Sequence, residues 1–174
     1  MYRIARSSLR LIGATAAICA ATVAAQPASA APGTTACASS GLVVWLNTES
    51  DGAAGSIFYN LELTNLSGHS CSLTGFPGVS AIDLNGNQLG SAASRDTTHP
   101  SKTITLAAGA TATAVLRIVE AGNFPSSNCG EVTAAGLRVY PPNRTAAKTI
   151  PFPFEACSKS GEIYLTVAPV AKPA

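Results

Sequence analysis

Cysteine and histidine are the residue types in this sequence with the greatest capacity for chemistry. Of five cysteines, four lie beyond residue 30: Cys37, Cys71, Cys129 and Cys157. An even number of cysteines in an oxidising compartment predicts two disulfides, for which three pairings are open. We favour Cys37–Cys71 and Cys129–Cys157, because each pair flanks strands that we expect to be neighbours.

Metal binding is the competing use of these side chains. A zinc site needs closely spaced pairs such as Cys-x-x-Cys, and the sequence has none. A blue-copper site needs two histidines, a cysteine thiolate and often a methionine, but Met1 is the only methionine. A disulfide sulfur is not a thiolate ligand. We therefore expect neither a metal nor a cofactor.

His69 and His99 are the candidates for acid–base catalysis. A Ser-His-Asp hydrolase would hold one of them between an exposed serine and a carboxylate. Both histidines stand beside turn residues, and no Gly-x-Ser-x-Gly elbow is present to expose a serine. We expect two solvated loop histidines and no catalytic residue, so the sequence does not predict an enzyme. An unrecognised hydrolase dependent on either histidine is the least favoured hypothesis.

Two loops are candidates for partner binding. In Gly75-Phe76-Pro77-Gly78, an aromatic ring next to proline could anchor a partner. The favoured interpretation is structural, with Phe76 capping one end of the core. Residues 123–129, ending at a disulfide cysteine, would suit the pre-organised loop of a protease inhibitor.

The N-terminus has the three parts of a secretory signal. Arginines at positions 3, 6 and 10 precede an apolar stretch over residues 11–25, followed by Ala28-Ser29-Ala30. We predict a signal peptide over residues 1–30, cleaved between Ala30 and Ala31. The stretch ends short of the roughly 20 apolar residues that span a bilayer, and bulky Ile18 precedes Cys19, unlike a lipoprotein site. We expect a secreted, extracellular product without a membrane span.

The remaining residues suit one domain. We predict a flexible segment over 31–36, a single domain over 37–170 and a frayed end over 171–174. Three of the 11 Lys and Arg residues lie in the signal, which leaves eight against nine Asp and Glu residues. This balance gives no support for nucleic-acid binding.

Short runs with apolar residues at every second position predict the elements that position these side chains. We expect residues 42–46 to pair with 57–63, a hairpin around Asn85-Gly86, and an edge strand or extended cover over 150–154, where Pro151 and Pro153 cannot donate to a ladder. Residues 137–140 should pair with 162–167 and so close the second disulfide, after a short helical turn over 131–135. About seven or eight strands predict an immunoglobulin-like antiparallel β-sandwich.

Several motifs follow one another in a distinctive order. They are Gly52-Ala53-Ala54-Gly55, residues 61–68, Cys71-Ser72-Leu73-Thr74-Gly75-Phe76-Pro77-Gly78-Val79, residues 104–106, Leu137-Arg138-Val139-Tyr140-Pro141-Pro142 and residues 165–167 after Cys157. This pattern resembles the actinobacterial secreted proteins of domain of unknown function 4232 over roughly residues 37–170. The resemblance implies an immunoglobulin-like sandwich with paired cysteines in exported or lipid-anchored envelope proteins, and it implies no established activity. Ala108-Gly109 stands where the family commonly has Pro-Gly, and the signal lacks a lipidation site.

Taken together, these features predict a secreted, non-catalytic domain that has a binding or structural role in the extracellular or cell-wall space. We expect a monomer whose partner is a protein or a cell-wall component. The alternative is a secreted inhibitor of an extracellular protease.

Overall fold

The structure, a computed structural model, describes residues 34–173. The predicted signal peptide and its cleavage site lie outside this range. Eleven strands are present among the described residues: β1 (Leu42–Ala53), β2 (Ser56–Asn65), β3 (Cys71–Leu73), β4 (Gly78–Ile82), β5 (Gln88–Leu89), β6 (Ser94–Arg95), β7 (Ile104–Leu106), β8 (Thr111–Val119), β9 (Glu131–Tyr140), β10 (Lys148–Cys157) and β11 (Leu165–Val167). The predicted all-β fold is confirmed.

The larger sheet has five strands in the order β1-β2-β8-β11-β6. β1 and β2 form the predicted hairpin, with Leu46 opposite Leu61 and a turn at Ala54-Gly55, both at positive φ. On β8, four alternate residues are buried as the sequence pattern predicts: Ala112, Ala114, Leu116 and Ile118. All pairs are antiparallel except β6 with β11, which is parallel.

The second sheet has four strands in the order β10-β9-β4-β5. The hairpin between β4 and β5 is confirmed, and its turn is held by Asp83, whose Oδ1 accepts hydrogen bonds from the backbone N–H groups of Asn85 and Asn87. β10 is an edge strand, as its prolines indicate. Its pairing with β9 is interrupted between Pro151 and Phe154.

β3 and β7 form a separate two-stranded sheet, to which the N-terminal segment is also paired. The backbone N–H of Ser72 donates to Thr35, and the carbonyl of Ser72 accepts from Cys37, both at 2.9 Å. Ala171 exchanges two backbone hydrogen bonds with Thr113 at the other end of the chain. Backbone pairing therefore extends beyond both ends of the domain predicted at 37–170.

The two disulfides have the favoured pairing. Cys37 is bonded to Cys71, which opens β3, and Cys129 is bonded to Cys157, which ends β10. All four cysteines are buried and belong to one core cluster that contains side chains from both large sheets. Tyr59 of β2 meets Phe152 of β10 edge to face, with 5.0 Å between ring centroids. The two large sheets thus pack face to face around a shared core.

Four details of the sequence prediction are wrong. The strands number 11 rather than about seven or eight, and among them β3 and β6, of three and two residues, were not predicted. Residues 131–135 belong to β9, and the helical turn precedes them at Ser126–Cys129. β9 pairs with β10, whereas β11 pairs with β8. Ile163 is 60% exposed while Tyr164 is fully buried, which reverses the predicted alternation at that point.

Within residues 34–173, no helix is both long enough and apolar enough to cross a lipid bilayer.

Candidate functional site: an apolar groove on the outer sheet face

Three large apolar side chains are exposed on the face of the five-stranded sheet that points away from the core. Val43 and Trp45 of β1 and Val115 of β8 are between 42% and 46% exposed. Strand alternation explains their position, since their neighbours Leu42, Leu46, Ala114 and Leu116 are buried against the other sheet. Period-two alternation normally places polar residues on an outer face, so exposed apolar side chains here call for an explanation.

An open groove of about 550 Å³ lies on this face. Its floor comprises Phe58 of β2 with Thr113 and Val115 of β8. One wall is the loop between β6 and β7, with His99, Pro100, Lys102 and the start of β7 at Ile104. The C-terminal segment over residues 168–172 completes the lining and runs alongside β8, with which Ala168 and Ala171 form backbone hydrogen bonds. Its size falls within the range of roughly 300–1,000 Å³ typical of ligand sites.

Backbone hydrogen bonds hold the loop and the C-terminal segment that line the groove. The N–H of Ala168 donates to Val115 at 2.9 Å, and that of Val170 donates to Gly75 at 2.9 Å. The N–H of Asp96 donates to Val167, also at 2.9 Å, at the start of the loop. Because these bonds do not depend on a ligand, the groove is pre-formed.

The charged groups around the groove are mostly cationic. Lys102 and Lys172 line it directly, and Arg117 lines an adjoining recess of about 250 Å³ that shares Phe58 and Val115. Among the described residues, Asp96 alone contributes a carboxylate to the lining of either cavity. Lys102, Lys172 and Arg117 are three of the eight Lys and Arg residues beyond residue 30.

Asp96, Thr98 and His99 form a hydrogen-bonded chain at the groove. The Thr98 hydroxyl donates to Asp96 Oδ1 at 2.6 Å and lies 3.1 Å from His99 Nδ1. The hydrogen bonds from the Thr98 hydroxyl and backbone N–H, with a smaller contribution from His99, lower the pKa of Asp96. Asp96 is therefore an anion at neutral pH, and its oxygen Oδ1 is already engaged.

A second cavity, of about 390 Å³, has the opposite charge. Tyr59 and Phe154 contribute aromatic rings from the two facing sheets, and three glutamates contribute to the lining: Glu120, Glu131 and Glu155. Within residues 34–173, no lysine or arginine lines it. The two cavities thus differ in the sign of their charge.

The histidines proposed for catalysis lie in separate loops. His69 is exposed between β2 and β3, where its backbone carbonyl accepts a hydrogen bond from Asn65, and His99 is exposed on the groove wall. Neither imidazole is hydrogen-bonded to a serine hydroxyl among the described residues. The hydrolase hypothesis stays a prediction, which activity measurements on a double His→Ala variant would test.

The candidate binding loop is packed into the domain. Pro77 is buried, and the half-buried ring of Phe76 contacts the core while the guanidinium carbon of Arg95 lies 5.6 Å from its centroid. One face of the ring is thus occupied by a cation of the same chain. A role for Phe76 and Pro77 in binding stays a prediction.

Residues 123–129, the candidate inhibitor loop, are folded into helical turns. A 3-10 turn over Ala121–Asn123 is followed by the helical turn Ser126–Cys129, whose Cys129 N–H donates to Pro125 at 3.0 Å. Inhibition of a protease stays a prediction, testable with excess protein in a protease assay. In the described part of the chain, no three His, Cys, Asp or Glu side chains are grouped so as to hold a metal ion.

Sequence reasoning missed the groove, because its lining comes from four segments that are distant along the chain. The one local feature that pointed to the groove was an apolar residue, Val115, at an outward-facing position of β8.

A comparison with known proteins assigns the chain to a family. No curated protein and no solved structure matches the chain significantly. The family model described as Domain of unknown function (DUF4232) matches residues 37–171, a range that includes both disulfides and nearly all of the groove. The chain therefore belongs to the DUF4232 family.

Proposed function

We propose that this chain is exported and that its mature domain is a non-catalytic binding module of the extracellular or cell-wall space. The secretory features of residues 1–30 support export. Two buried disulfides in a domain of this size are also typical of proteins that fold in an oxidising compartment.

The observation on which the binding role rests is the groove. Exposed Val115 and half-buried Phe58 form an apolar floor, and backbone hydrogen bonds hold the neighbouring loop and C-terminal segment in place. An apolar cavity with a few convergent polar groups is the usual form of a small-molecule site. A groove that is already formed also lowers the entropic cost of binding.

The export step is tested by expressing the full chain in a bacterial host that secretes proteins. We expect the culture medium to contain a product that begins at Ala31, with both disulfides formed, as intact mass and peptide mapping would show. A product found only in the cytoplasm, or one with free thiols, would contradict export.

The binding role is tested with extracts of the bacterial cell envelope, separated into lipid, glycan and protein fractions. The purified oxidised protein is compared with Val115→Glu, which places a charge on the groove floor, and with Glu155→Gln in the acidic cavity. We expect one fraction to yield a ligand that wild type and Glu155→Gln retain and Val115→Glu loses. Retention by all three proteins, or by none, would contradict a binding role for the groove.

A further inference from the structure

We propose that the groove binds the extended chain and carboxylate of a long-chain fatty acid. This inference rests on the proposed binding function and names the ligand class of the same site. It follows from the shape of the two adjoining cavities and from the sign of the charges around them.

The shape favours an elongated apolar ligand. The groove and the recess share Phe58, Asp96, Val115 and Ala168, so they form one continuous depression across the outer face of the sheet. Val115 lies on its floor, where an acyl chain would cover a side chain that is now 42% exposed. Each methylene group that is buried should raise the affinity about fourfold, so affinity should grow with chain length.

The charges favour an anionic head group. Lys102, Lys172 and Arg117 outnumber the carboxylate of Asp96, so the depression has an excess of cations. The Nε of Arg117 donates to Ser56 Oγ at 3.0 Å, which fixes the guanidinium while its terminal nitrogens can donate to a ligand. The other cavity has three glutamates and would repel an anion.

The recessed position of the apolar floor favours a free acyl chain over a membrane surface. A bilayer contacts protruding apolar side chains, whereas Val115 and Phe58 line a cavity that the loop over residues 99–104 also lines. A single chain can enter such a depression from the open side. The experiment must therefore distinguish the binding of a single free acyl chain from docking on a membrane surface.

The probe is palmitate, used below its micelle-forming concentration and titrated calorimetrically into the purified oxidised protein. We expect saturable binding of one equivalent. Hexadecanol, with the same chain and no charge, should bind about tenfold more weakly, since a charge-assisted contact contributes on the order of 1.4 kcal/mol. Hexadecyltrimethylammonium should bind more weakly than hexadecanol, because its cation meets the lysines.

Three variants locate the site. Lys102→Gln/Lys172→Gln and Arg117→Gln each neutralise part of the cationic rim, and at least one should weaken palmitate binding about tenfold. Val115→Glu should abolish it. Glu155→Gln, in the other cavity, is the matched control and should leave the affinity unchanged, and circular dichroism verifies that every variant is folded.

Four results would overturn the proposal. They are an absence of palmitate binding, equal binding of palmitate and hexadecanol, unchanged affinity in both cation variants, and binding to phosphatidylglycerol vesicles without binding of monomeric palmitate. If palmitate fails while an envelope fraction still yields a ligand that Val115→Glu loses, the ligand class is wrong and the binding function stands. If both fail, the proposed function fails as well.

Discussion

At the scale of single residues, Asn65 has an unusually complete set of hydrogen bonds. Its side chain is fully buried, and Nδ2 donates to the carbonyls of His69, Leu106 and Ala107 at 2.8–3.1 Å. Its Oδ1 accepts from the backbone N–H and hydroxyl of Ser67. One amide thus joins the end of β2 to the loop before β3 and to the end of β7.

Replacing Asn65 by alanine should therefore destabilise the domain strongly. The change leaves buried carbonyls without donors, and we expect a loss of about 2–4 kcal/mol in the free energy of unfolding. Urea unfolding followed by circular dichroism measures it. Asn60→Ala, at an exposed position of the same strand, is the control and should change stability by less than about 0.5 kcal/mol. Equal effects of the two substitutions would refute the bridging role.

Tyr164 is a second buried polar residue with a specific partner. Its hydroxyl donates to the carbonyl of Leu89 at 2.9 Å, and burial raises the pKa of the phenol to about 12 from its usual 10.0. The folded protein therefore retains this proton at pH values where an unfolded chain has lost it.

Stability should consequently depend on alkaline pH through Tyr164. Below about pH 10 the phenol is neutral in both states, whereas between about 10 and 12 only the unfolded state ionises, so the free energy of unfolding falls as the pH rises. Above both pKa values the dependence ends. In Tyr164→Phe this fall should become shallower, as urea midpoints at about pH 9 and about pH 11.5 would show. Tyr140→Phe controls for the loss of a tyrosine elsewhere, and the hypothesis fails if both variants behave as wild type.

At the scale of elements, the pairing of β9 with β10 depends on a glycine. Gly136 lies opposite Pro151 where the register shifts, and a Cβ at this position would overlap the carbonyl oxygen of Ile150. Since that oxygen belongs to the backbone, a side-chain rotation cannot relieve the overlap. By contrast, a Cβ added to Gly52, near the end of β1, would meet no atom within 4 Å.

The two glycines should therefore respond differently to alanine. We expect Gly136→Ala to lower the free energy of unfolding by about 1–3 kcal/mol, the typical cost of overpacking. Gly52→Ala should be neutral or stabilising by up to about 1 kcal/mol, because alanine loses less backbone entropy on folding. Thermal unfolding of both variants measures the difference. A Gly136→Ala protein as stable as wild type would show that β10 can shift away from β9.

The elements also show what the sequence could and could not predict. Alternation identified β8 correctly, because Ala112, Ala114, Leu116 and Ile118 all face the core. Alternation could not identify β3 or β6, since two or three residues give no period. It misplaced Tyr164, which is buried and whose hydroxyl donates to Leu89, 75 residues away. The groove could not be predicted for the same reason: its lining comes from segments that are distant along the chain, and a local pattern contains no information about their contacts.

At the scale of the whole molecule, the two disulfides constrain different parts of the chain. Cys37–Cys71 closes a loop with a sequence separation of 34 and ties the N-terminal segment to the small sheet. Cys129–Cys157 has a separation of 28 and closes the end of the hairpin of β9 and β10. The loops are similar in length, so the chain-entropy description assigns them similar stabilisation.

Removing either disulfide should lower the free energy of unfolding by about 3–4 kcal/mol. The variants Cys37→Ala/Cys71→Ala and Cys129→Ala/Cys157→Ala test each bond separately in urea. Loss of the first should also expose the backbone amides of Cys37 and Ser72 to hydrogen exchange, because their bonds hold the N-terminal segment in place. Unchanged exchange there would show that the pairing persists without the covalent bond.

The hydrogen bonds of Ala168, Val170 and Ala171 make the last described residues a structural part of the groove. An affinity tag or fluorescent protein fused behind Pro173 would sit beside the opening that a ligand must use, and a shortened chain lacking residues 168–173 would lose one side of it. Negative results from C-terminally tagged material would therefore carry little weight in a ligand screen. Placing the tag ahead of residue 31, with a protease site between, keeps the opening in its native form.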